Sequence, residues 1–493
     1  MQDLSPGCEA FLLSATEFVK AKRGSDMSLQ NTDYGPERIG RMLAPCRRLF
    51  FVGVGGVSMS ALAELSLHAG YSVGGSDRGE SDLIRHLETL GIELFHEHKA
   101  ENLSGYDALI YTVAISADNP EYVEAKRRGI PAISRADYMG YLMSSFERRI
   151  GISGMHGKST TTAMAAEIFL AAGDATILCG APLPKHGGNP CVIGKEHENF
   201  LFEACEYMDS FLEFSPTLAV VLNLGLDHVD YFHSMEEVRR SFLRFALKAK
   251  GQGVLYNADD SECVLALADY PYERHTFGLT ERAEFTARNE QSEKGCYSFD
   301  FYRGDDFLCR ISLQVPGHHN VYNALAAGAA AILSGLSPEI VANALASFVG
   351  AGRRMEKKGR LASGAVVYDD YGHHPDEIRA TLTGAKEMGY RRLLCAYQPH
   401  TYSRTAGLFE EFCGAFDKAD RVYFAPIYAA REQNTFGVSS DDIAARIGEK
   451  ASSYPDFRAL AEVIEHEAKE GDLVLIMGAG DIYQLFGLLK LFP

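Results

Sequence analysis

The chain has 493 residues, which is too long for a single hydrophobic core, so two to four domains are expected. Its 46% hydrophobic and 23% charged residues are typical of a soluble globular protein, and no apolar run is long enough to span a membrane. The net charge of -18 argues against a nucleic-acid partner, because phosphate backbones require a basic surface.

The N-terminal segment and the cysteines indicate a cytoplasmic protein. The start of the chain lacks a basic segment followed by an apolar stretch, so no signal peptide is predicted. Ten cysteines are scattered without C-x-x-C pairs or metal-type spacing, which suits reduced thiols. The stretch "CEAFLLSATEFV" predicts a short extra helix within an N-terminal extension, residues 1–46.

The first part of the chain alternates strand and helix signals, which predicts an α/β fold. "RRLFFVGVGG" predicts a strand that runs into a glycine turn, "SMSALAELSLHAG" a helix closed by Gly70, and "YSVGGSD" and "YDALIYTVA" further strands. The stretch "GVGGVSMS" followed by Asp77 is similar to a dinucleotide fingerprint, although Ser58 replaces its third glycine. It could hold NAD or another nucleotide diphosphate, or form a tight turn without a ligand.

The pattern restarts at "RRIGISG", a strand that leads through "GMHGKSTTT" into a helix over 158–172. This loop is shorter than a Walker A loop, but Gly154 and Gly157 would let backbone N–H groups approach phosphate oxygens. Lys158 would reach the terminal phosphates, and the Ser159 hydroxyl would bind magnesium. A lysine in the first turn of a helix is unfavourable next to the positive end of the helix dipole unless an anion binds there. The loop is therefore interpreted as a phosphate loop.

Two further stretches, "NFLFEACE" and "TLAVVLNLG", predict central parallel strands, each followed by polar residues. These are Glu203, Glu206 and Asp209 after the first strand, and Asp227, His228 and Asp230 after the second. Together they could share a hard cation with a bound phosphate, or each could be a cap or a solvated turn residue.

The remaining chain predicts an antiparallel segment and a third α/β series. Two-residue alternation from Glu284 to Val315 predicts antiparallel strands, followed by two alanine-rich helices. Strands are then predicted at "GAVVYDD", "RRLLCAY", "DRVYFAPI" and "GDLVLIMGAGD". The histidines of "DDYGHHPDE" and "YQPHTYSRT" follow two of these strands together with Arg404, which favours a ligand site over isolated structural histidines.

In this order, "GVGGVSM", "GMHGKSTTT", "NLGLDHVD", "PGHHNVYNA", "GRRME", "DDYGHHP", "QPHTYSRT" and "GAGD" resemble the motifs of the Mur ligase family, from about Arg47 to the C-terminus. The resemblance implies a Rossmann-like UDP-sugar domain (47–147), a central P-loop ATPase-like α/β domain that binds ATP (148–350) and a C-terminal Rossmann-like α/β domain for the amino acid (351–493). It implies an ATP-dependent amide-forming ligase of cytoplasmic peptidoglycan synthesis that uses UDP-N-acetylmuramate, L-alanine, ATP and Mg²⁺. The oligomeric state, monomer or homodimer, stays open.

The resemblance also implies which residues act. For catalysis these are Lys158, His228, His374 and Arg353. For ATP they are Gly154, Met155, His156, Gly157, Lys158, Ser159, Thr160, Asn320, Asn323, Arg353 and Asp370. For the UDP-sugar they are Gly53, Gly55, Gly56, Met59 and Asp77, and for the amino acid Tyr371, His373, His400 and Arg404. For the metal they are Ser159, Glu203 and His228, with Glu206 as an alternative. Thr401 stands where many relatives carry an arginine, which would leave more of the amino-acid carboxylate to Arg404.

Three other functions fit the sequence less well. A branch of the family that attaches a whole tripeptide typically departs from "GVGGVSM" and lacks the "QPHTYSRT" segment, so the sequence argues against it. An NAD-dependent oxidoreductase would give no role to Lys158. A non-catalytic nucleotide sensor would not need Lys158, Glu203 and His228 together. The sequence leaves the choice among alanine, serine and glycine open, because such small differences change binding by only about 1–3 kcal/mol.

Overall fold

The computed structural model describes residues 29–228, 231–430 and 432–493. Three sheets flanked by helices confirm the predicted α/β fold class. The chain divides into two compact units, Met1–Leu142 and Met143–Pro493, and the second unit contains two of the sheets. The helix predicted at "CEAFLLSATEFV" lies outside the described residues.

The first unit contains a five-stranded parallel sheet in the order β3-β2-β1-β4-β5. Its strands are β1 (Arg48–Val52), β2 (Ser72–Ser76), β3 (Glu93–Phe95), β4 (Ala108–Tyr111) and β5 (Ala132–Ser134). The helices are Pro36–Leu43, Val57–His68, Asp82–Thr89, Pro120–Arg128 and Arg135–Met143, with a 3₁₀ turn at Ala100–Leu103. In this strand order, ligands bind outside the carboxyl ends of the strands where the winding reverses, here between β1 and β4.

The second sheet has ten strands in the order β15-β14-β13-β12-β11-β10-β6-β9-β7-β8. They are β6 (Arg148–Ser153), β7 (Thr176–Leu178), β8 (Cys191–Val192), β9 (Asn199–Glu203), β10 (Leu218–Val221), β11 (Gly253–Asn257), β12 (Arg274–Gly278), β13 (Phe285–Glu293), β14 (Cys296–Arg303) and β15 (Asp306–Pro316). Strand β6 lies between β9 and β10 and is parallel to both, which confirms the prediction of central parallel strands. The pairs β13–β14 and β14–β15 are antiparallel, also as predicted.

Alanine-rich helices cover this second sheet. Its helices are Lys158–Ala172, Met235–Ala246, Ser261–Ala266, His319–Leu333 and Pro338–Ala346, with 3₁₀ segments at Pro184–His186 and Tyr207–Glu213. Helices Lys158–Ala172 and His319–Leu333 share one core, in which small side chains allow close packing. A Cβ at Gly328 would already lie 3.2 Å from both Phe301 and Val341. Thr161 Oγ1 donates to Asn323 Oδ1 (3.1 Å), so the N-terminal ends of helices Lys158–Ala172 and His319–Leu333 lie beside each other.

The third sheet has the order β20-β19-β18-β21-β17-β16-β22. Its strands are β16 (Glu356–Leu361), β17 (Val366–Asp370), β18 (Arg392–Tyr397), β19 (Arg421–Phe424), β20 (Ala451–Ser453), β21 (Asp472–Met477) and β22 (Leu491–Phe492), and the first five in the spatial order are parallel. The helices are Pro375–Glu387, Tyr402–Gly407, Phe409–Cys413, Ser440–Ile447 and Phe457–Glu467, with a 3₁₀ segment at Ile482–Gly487. Apolar clusters on both faces bury the central strands, as expected of a parallel sheet.

Within the described residues, no helix combines the length and the apolar character needed to cross a membrane. The nine described cysteines are free thiols.

Candidate active site

The loop between β6 and helix Lys158–Ala172 has a backbone that requires glycine. Gly154 and Gly157 have φ of 139° and 84°, in the region that side chains disfavour. A Cβ on Gly157 would lie 2.5 Å from Asn323 Oδ1, and one on Gly154 would lie 3.0 Å from Leu222 Cβ. The loop therefore packs directly against the end of β10 and against helix His319–Leu333.

Asn223, which follows β10, holds this loop with three hydrogen bonds. Met155 N donates to Asn223 O (3.1 Å), His156 N donates to Asn223 Oδ1 (2.8 Å), and Asn223 Nδ2 donates to His156 O (3.0 Å). The segment "NLGLDHVD" resembles a family motif, but the resemblance implies no role for this asparagine. The available signal was its position directly after a buried parallel strand.

Lys158 lies at the start of the helix and is nearly buried. Its Nζ donates to the carbonyls of Gly154 and Met155 and to Glu206 Oε2, which lies 3.1 Å away. Burial alone would lower the pKa of Lys158, but Glu206 and the other acidic groups nearby raise it above its usual value. The ammonium group of Lys158 therefore stays charged beside the backbone of the loop.

Two pairs of side chains could hold a cation beside this lysine. Ser159 Oγ donates to Glu203 Oε2 (2.9 Å), and Gly180 N donates to the same oxygen (2.9 Å). A Cβ on Gly180 would lie 2.3 Å from that oxygen, so a larger residue here would displace the Glu203 carboxylate. His228 Nε2 instead lies 3.7 Å from Glu206 Oε1. The structure thus joins Ser159 to Glu203, and His228 to Glu206.

Of the other carboxylates noted after these strands, Asp209 contacts a neighbouring helix. Asp209 accepts a hydrogen bond from Ser241 and forms an ion pair with Arg244, at 3.3 Å, on helix Met235–Ala246. Asp230 lies outside the described residues.

A cavity of about 330 Å³ lies next to the loop, between the second and third sheets. Apolar side chains form part of its wall, and polar groups line the rest. The apolar residues include Leu222, Phe277, Val315 and Phe348; the polar ones include His156, Thr160, Asn320, Asn323, Arg354 and Asp370. An apolar pocket with a few fixed polar groups is the usual form of a nucleotide or cofactor site.

Asn320 and Asn323 form one hydrogen-bonded unit in this wall. Asn323 Nδ2 donates to Asn320 Oδ1 (2.9 Å), and Asn320 Nδ2 donates to the Pro316 carbonyl (2.8 Å). Thr161 Oγ1, from the first turn after the loop, donates to Asn323 Oδ1 (3.1 Å). The two amides are therefore held in fixed orientations beside the loop.

Of the two adjacent arginines in "GRRME", the second lines the cavity. Arg353 Nε donates to Asp369 Oδ2 (3.2 Å), and its Nη2 donates to the Gly478 carbonyl (2.8 Å), both within the third sheet region. Arg354 Nη1 lies 3.8 Å from Glu377 Oε1. Burial would lower the pKa of Arg354, but Glu377 and Asp370 raise it overall. Sequence reasoning named Arg353 and missed Arg354.

The aspartates that end β17 differ in their partners. Asp370 lines the cavity and accepts hydrogen bonds from Met355 N and Gly372 N, both at 2.9 Å. Burial raises the pKa of Asp369 to about 6 despite the nearby Arg353. Burial also raises the pKa of Asp370, although Arg354 opposes the shift.

Glu377 connects the loop to the third sheet and was also missed. It accepts from His373 N (3.0 Å) and His374 N (3.3 Å), and its Oε1 lies 3.3 Å from His156 Nδ1. Burial would raise the pKa of Glu377, but His373, His156 and Arg354 lower it well below its usual value. Glu377 stands three residues after His374, the N-cap of helix Pro375–Glu387, so the spacing of a capping box could have found it.

The residues proposed for the amino acid lie close together. Tyr371 and His373 have ring centres 5.8 Å apart, and those of His373 and His400 are 5.9 Å apart. Arg404 Nη2 donates to Asp227 Oδ1 (3.1 Å), and Arg404 Nη1 lies 3.5 Å from His400 Nδ1. This ion pair joins the end of the second sheet to the third.

Burial and charge shift the pKa values of these groups. Burial lowers the pKa of His373 to about 4, and it also lowers those of His374 and His400. Burial would raise the pKa of Asp227, but Arg404 and His228 lower it below its usual range. The histidines are therefore neutral near pH 7, and the Asp227 carboxylate is charged.

In the first unit, the predicted fingerprint forms a tight turn between β1 and helix Val57–His68. Gly53 has φ of 80°, and Asp77 accepts hydrogen bonds from Gly55 N and Gly79 N, both at 2.9 Å. Gly56 is the N-cap of the helix, and Met59 is buried beneath the turn. Ser58, at the position of the expected third glycine, accepts a hydrogen bond from Arg135 (3.0 Å).

Comparison with known proteins gives three adjacent matches to family models. These are the Mur ligase family catalytic domain (residues 48–147), the Mur ligase middle domain (152–331) and the Mur ligase glutamate ligase domain (353–480). The chain is 40% identical over 444 residues to the UDP-N-acetylmuramate–L-alanine ligase of Clostridium novyi, covering 89% of this chain and 96% of the relative. It is 41% identical over 445 residues to the enzyme of that name from Caldanaerobacter subterraneus, with the same two coverages.

Solved structures show the same likeness. The UDP-N-acetylmuramate–alanine ligase of Thermotoga maritima superimposes with a TM-score of 0.76 at 28% identity, covering 89% of this chain and 97% of that one. A murein peptide ligase from Psychrobacter arcticus superimposes with a TM-score of 0.69 at 23% identity, covering 90% and 97%, which is a likeness of fold.

Proposed function

The chain belongs to the Mur ligase family, and we propose that it joins L-alanine to the lactyl carboxylate of UDP-N-acetylmuramate at the expense of ATP, giving the amide, ADP and phosphate. The reaction serves cytoplasmic peptidoglycan precursor synthesis. Residues 47–147 would bind the UDP-sugar through Gly53, Gly55, Gly56 and Asp77, with Met59 supporting the turn. Residues 148–350 would bind ATP, and residues 351–493 the amino acid.

The observation that carries the proposal is the position of the phosphate loop relative to the third-sheet residues. Glu377 lies within ion-pair distance of His156 in the loop and accepts from the backbone of His373 and His374. Arg404 is paired with Asp227, which precedes the metal candidate His228. The groups proposed for ATP and those proposed for alanine therefore meet in one site, as an acyl-transfer ligase requires.

In the first step, the lactyl carboxylate attacks the γ-phosphorus of ATP, ADP leaves, and an acyl phosphate forms. Both reactants are anions, so the positive charge of Lys158 must offset their repulsion. The raised pKa of Lys158 keeps that charge in place. The N–H groups of the loop would bind the phosphate oxygens, and the cavity beside Asn320, Asn323 and Asp370 would take the adenosine.

The metal candidates fit Mg²⁺ in their donor atoms. A hydroxyl oxygen of Ser159 and a carboxylate oxygen of Glu203 lie 2.9 Å apart, and Mg²⁺ prefers oxygen ligands. His228, or Glu206 as the alternative carboxylate, would supply a further ligand to the ion. When bound, Mg²⁺ would supply positive charge to the transferred phosphoryl group.

In the second step, the amine of alanine attacks the acyl carbon, a tetrahedral intermediate forms, and phosphate leaves as the amide closes. Arg404 would hold the alanine carboxylate through two parallel hydrogen bonds, with His373, His400 and Tyr371 around it. The ammonium group must lose a proton before it attacks, and His374 is our candidate to accept it. Arg353 would act indirectly, because it fixes Asp369 next to Asp370.

The test is phosphate release from ATP with UDP-N-acetylmuramate and a panel of L-alanine, L-serine, glycine and a tripeptide. We expect release only when the sugar nucleotide and an amino acid are both present, with L-alanine the best substrate. If, in the presence of UDP-N-acetylmuramate, only the tripeptide and none of the amino acids gives release, the chain belongs to the tripeptide-adding branch. No release with any member of the panel would overturn the ligase function.

A further inference from the structure

A cluster of two histidines and one aspartate lies beside the phosphate loop. The proposed reaction uses the histidines separately and gives the three side chains no common role. His156 from the loop and His374 and Asp376 from the start of helix Pro375–Glu387 each offer one ligand atom, and these three atoms lie within 4.8 Å of one another. The cluster differs from the proposed magnesium site, because its residues are neither Ser159 nor Glu203.

His156 has the orientation of a metal ligand. Within the described part of the chain, neither of its buried ring nitrogens makes a hydrogen bond of good geometry, although Nδ1 lies 3.3 Å from Glu377 Oε1. Metal-binding histidines commonly donate their other ring N–H to a carboxylate, which fixes the tautomer. Glu377 can accept from Nδ1 in this way, which leaves His156 Nε2 to bind the ion.

The second and third ligands come from the first turn of one helix. His374 Nδ1 lies 3.6 Å from Asp376 Oδ2 but accepts the helix-capping hydrogen bond from Asp376 N (3.3 Å), so binding of an ion through His374 Nε2 would leave this cap in place. Arg379 donates to the other oxygen of Asp376, Oδ1, at 2.7 Å and so leaves Oδ2 available. The side chain of Asp376 is 60% exposed, which gives it freedom to close the remaining distance.

We propose that His156, His374 and Asp376 form a binding site for a divalent transition-metal ion of the zinc class, separate from the magnesium site. Two imidazoles with one carboxylate are a ligand set of zinc enzymes, and imidazole favours zinc, cobalt, nickel and copper over magnesium. Because the ligands come from the phosphate loop and from the third-sheet helix, the ion ties these two elements together. Zinc at this site therefore stabilises the fold.

The test is equilibrium dialysis of the full-length protein against Zn²⁺ in the presence of excess Mg²⁺, which occupies the oxygen-rich site. We expect one tightly bound Zn²⁺ per chain, with a dissociation constant raised at least about tenfold by Asp376→Asn and by His374→Gln. Co²⁺ in place of Zn²⁺ gives a visible absorption band that reports the ligand geometry. Zinc should also raise the melting temperature of the wild type more than that of Asp376→Asn.

Three control variants separate this site from others. Asp305→Asn removes a fully exposed carboxylate and should leave zinc binding unchanged. Glu203→Gln should also leave it unchanged, since it alters only the magnesium site. Cys205→Ser removes an exposed thiol that could bind zinc by itself.

Asp376→Asn changes an exposed side chain, so it should fold even if His374→Gln disturbs the helix start. Equal zinc affinity in the wild type and in folded Asp376→Asn would overturn the proposal. Loss of all zinc binding in Cys205→Ser, or no tight binding by the wild type, would overturn it as well.

Discussion

Glu203 and Glu206 stand three residues apart, yet each contacts a different partner. Glu203 accepts from Ser159, whereas Glu206 is paired with Lys158. Glu203→Gln keeps the shape and removes the charge, so the Mg²⁺ concentration for half-maximal activity should rise by at least about tenfold. A magnesium titration of phosphate release measures this. If Glu206→Gln shows the shift and Glu203→Gln does not, Glu206 is the ligand.

Arg404 has an ion-pair partner in the protein, Asp227, and a proposed one in the substrate. Arg404→Ala should raise the KM for L-alanine about tenfold to a hundredfold, because one charge-assisted pair contributes about 1.5–3 kcal/mol. The KM for ATP should stay nearly unchanged. Asp227→Asn is the control, since it removes the protein partner of Arg404 and leaves the guanidinium for alanine. An equal rise of both KM values in Arg404→Ala would indicate that Arg404 only joins the second and third sheets.

At this scale the sequence located the segments that surround the cavity better than the individual side chains that face it. "GRRME" was chosen from its resemblance to the family, but its irregular backbone, with Arg353 at φ of 56°, turns Arg354 toward the cavity and Arg353 toward Asp369. Adjacent residues in such a turn cannot be assigned from spacing, because no helix or strand period fixes their directions. Glu377 is different, since its capping-box spacing was readable from the sequence.

Among the elements, the phosphate loop should bind ATP through the shape of its backbone more than through its charge. Gly157→Ala should weaken ATP binding at least about tenfold, because it adds a left-handed cost of about 1–2 kcal/mol and places a Cβ against Asn323. Nucleotide titration with a non-hydrolysable ATP analogue measures this. Gly335→Ala is a matched control, because Gly335 has φ of 88° but open space around it. Equal ATP affinity in Gly157→Ala and the wild type would show that the loop does not bind the phosphates.

Strand β21 is anchored at its start by the buried carboxylate of Asp472. Arg391, Arg392 and the backbone N–H of Lys469 donate to it, at 3.0, 2.5 and 2.9 Å. Burial would raise its pKa, but Arg392 and Lys469 lower it below the usual value. A lowered folded-state pKa gives stability that is present above the unfolded value, about 3.9, and is lost as pH falls below it.

Asp472→Asn should therefore lower the free energy of unfolding by about 1–3 kcal/mol at pH 7 and flatten the decline of stability below about pH 4. Chemical unfolding at several pH values measures both effects. Asp305→Asn, on an exposed turn, should change neither. A variant as acid-sensitive as the wild type would show that Asp472 is not the titrating group.

The elements themselves were largely readable from the sequence. Helix Lys158–Ala172 begins and ends where predicted, because Gly157 and Gly173 terminate the helical pattern. The order of the ten strands in the second sheet was not predicted, since pairing depends on contacts between distant segments. Pairing of β12 with β13 in parallel, next to the antiparallel β13–β14 pair, is one such feature.

For the molecule as a whole, a net charge of -18 contrasts with the anionic groups proposed to bind at the site, which are the phosphates of ATP and UDP-N-acetylmuramate, the lactyl carboxylate and the carboxylate of zwitterionic alanine. The cationic side chains that would bind these groups lie at the site itself, and each is paired with a carboxylate. The pairs are Lys158 with Glu206, Arg354 with Glu377 and Arg404 with Asp227. These pairs keep the cations charged while buried, and an anionic substrate can compete for them. The overall charge argues against a nucleic-acid partner, and these local cations are compatible with bound nucleotides.

The most direct test of the proposed ligase chemistry follows oxygen from the lactyl carboxylate of UDP-N-acetylmuramate. With ¹⁸O in that carboxylate, ATP and L-alanine, an acyl phosphate transfers one carboxylate oxygen to the released phosphate. We predict phosphate carrying one ¹⁸O atom by mass spectrometry, formed together with the alanyl amide, and neither product in Lys158→Ala. Amide formation with unlabelled phosphate would contradict phosphoryl transfer to the carboxylate, and phosphate release without any amide would contradict the ligase itself.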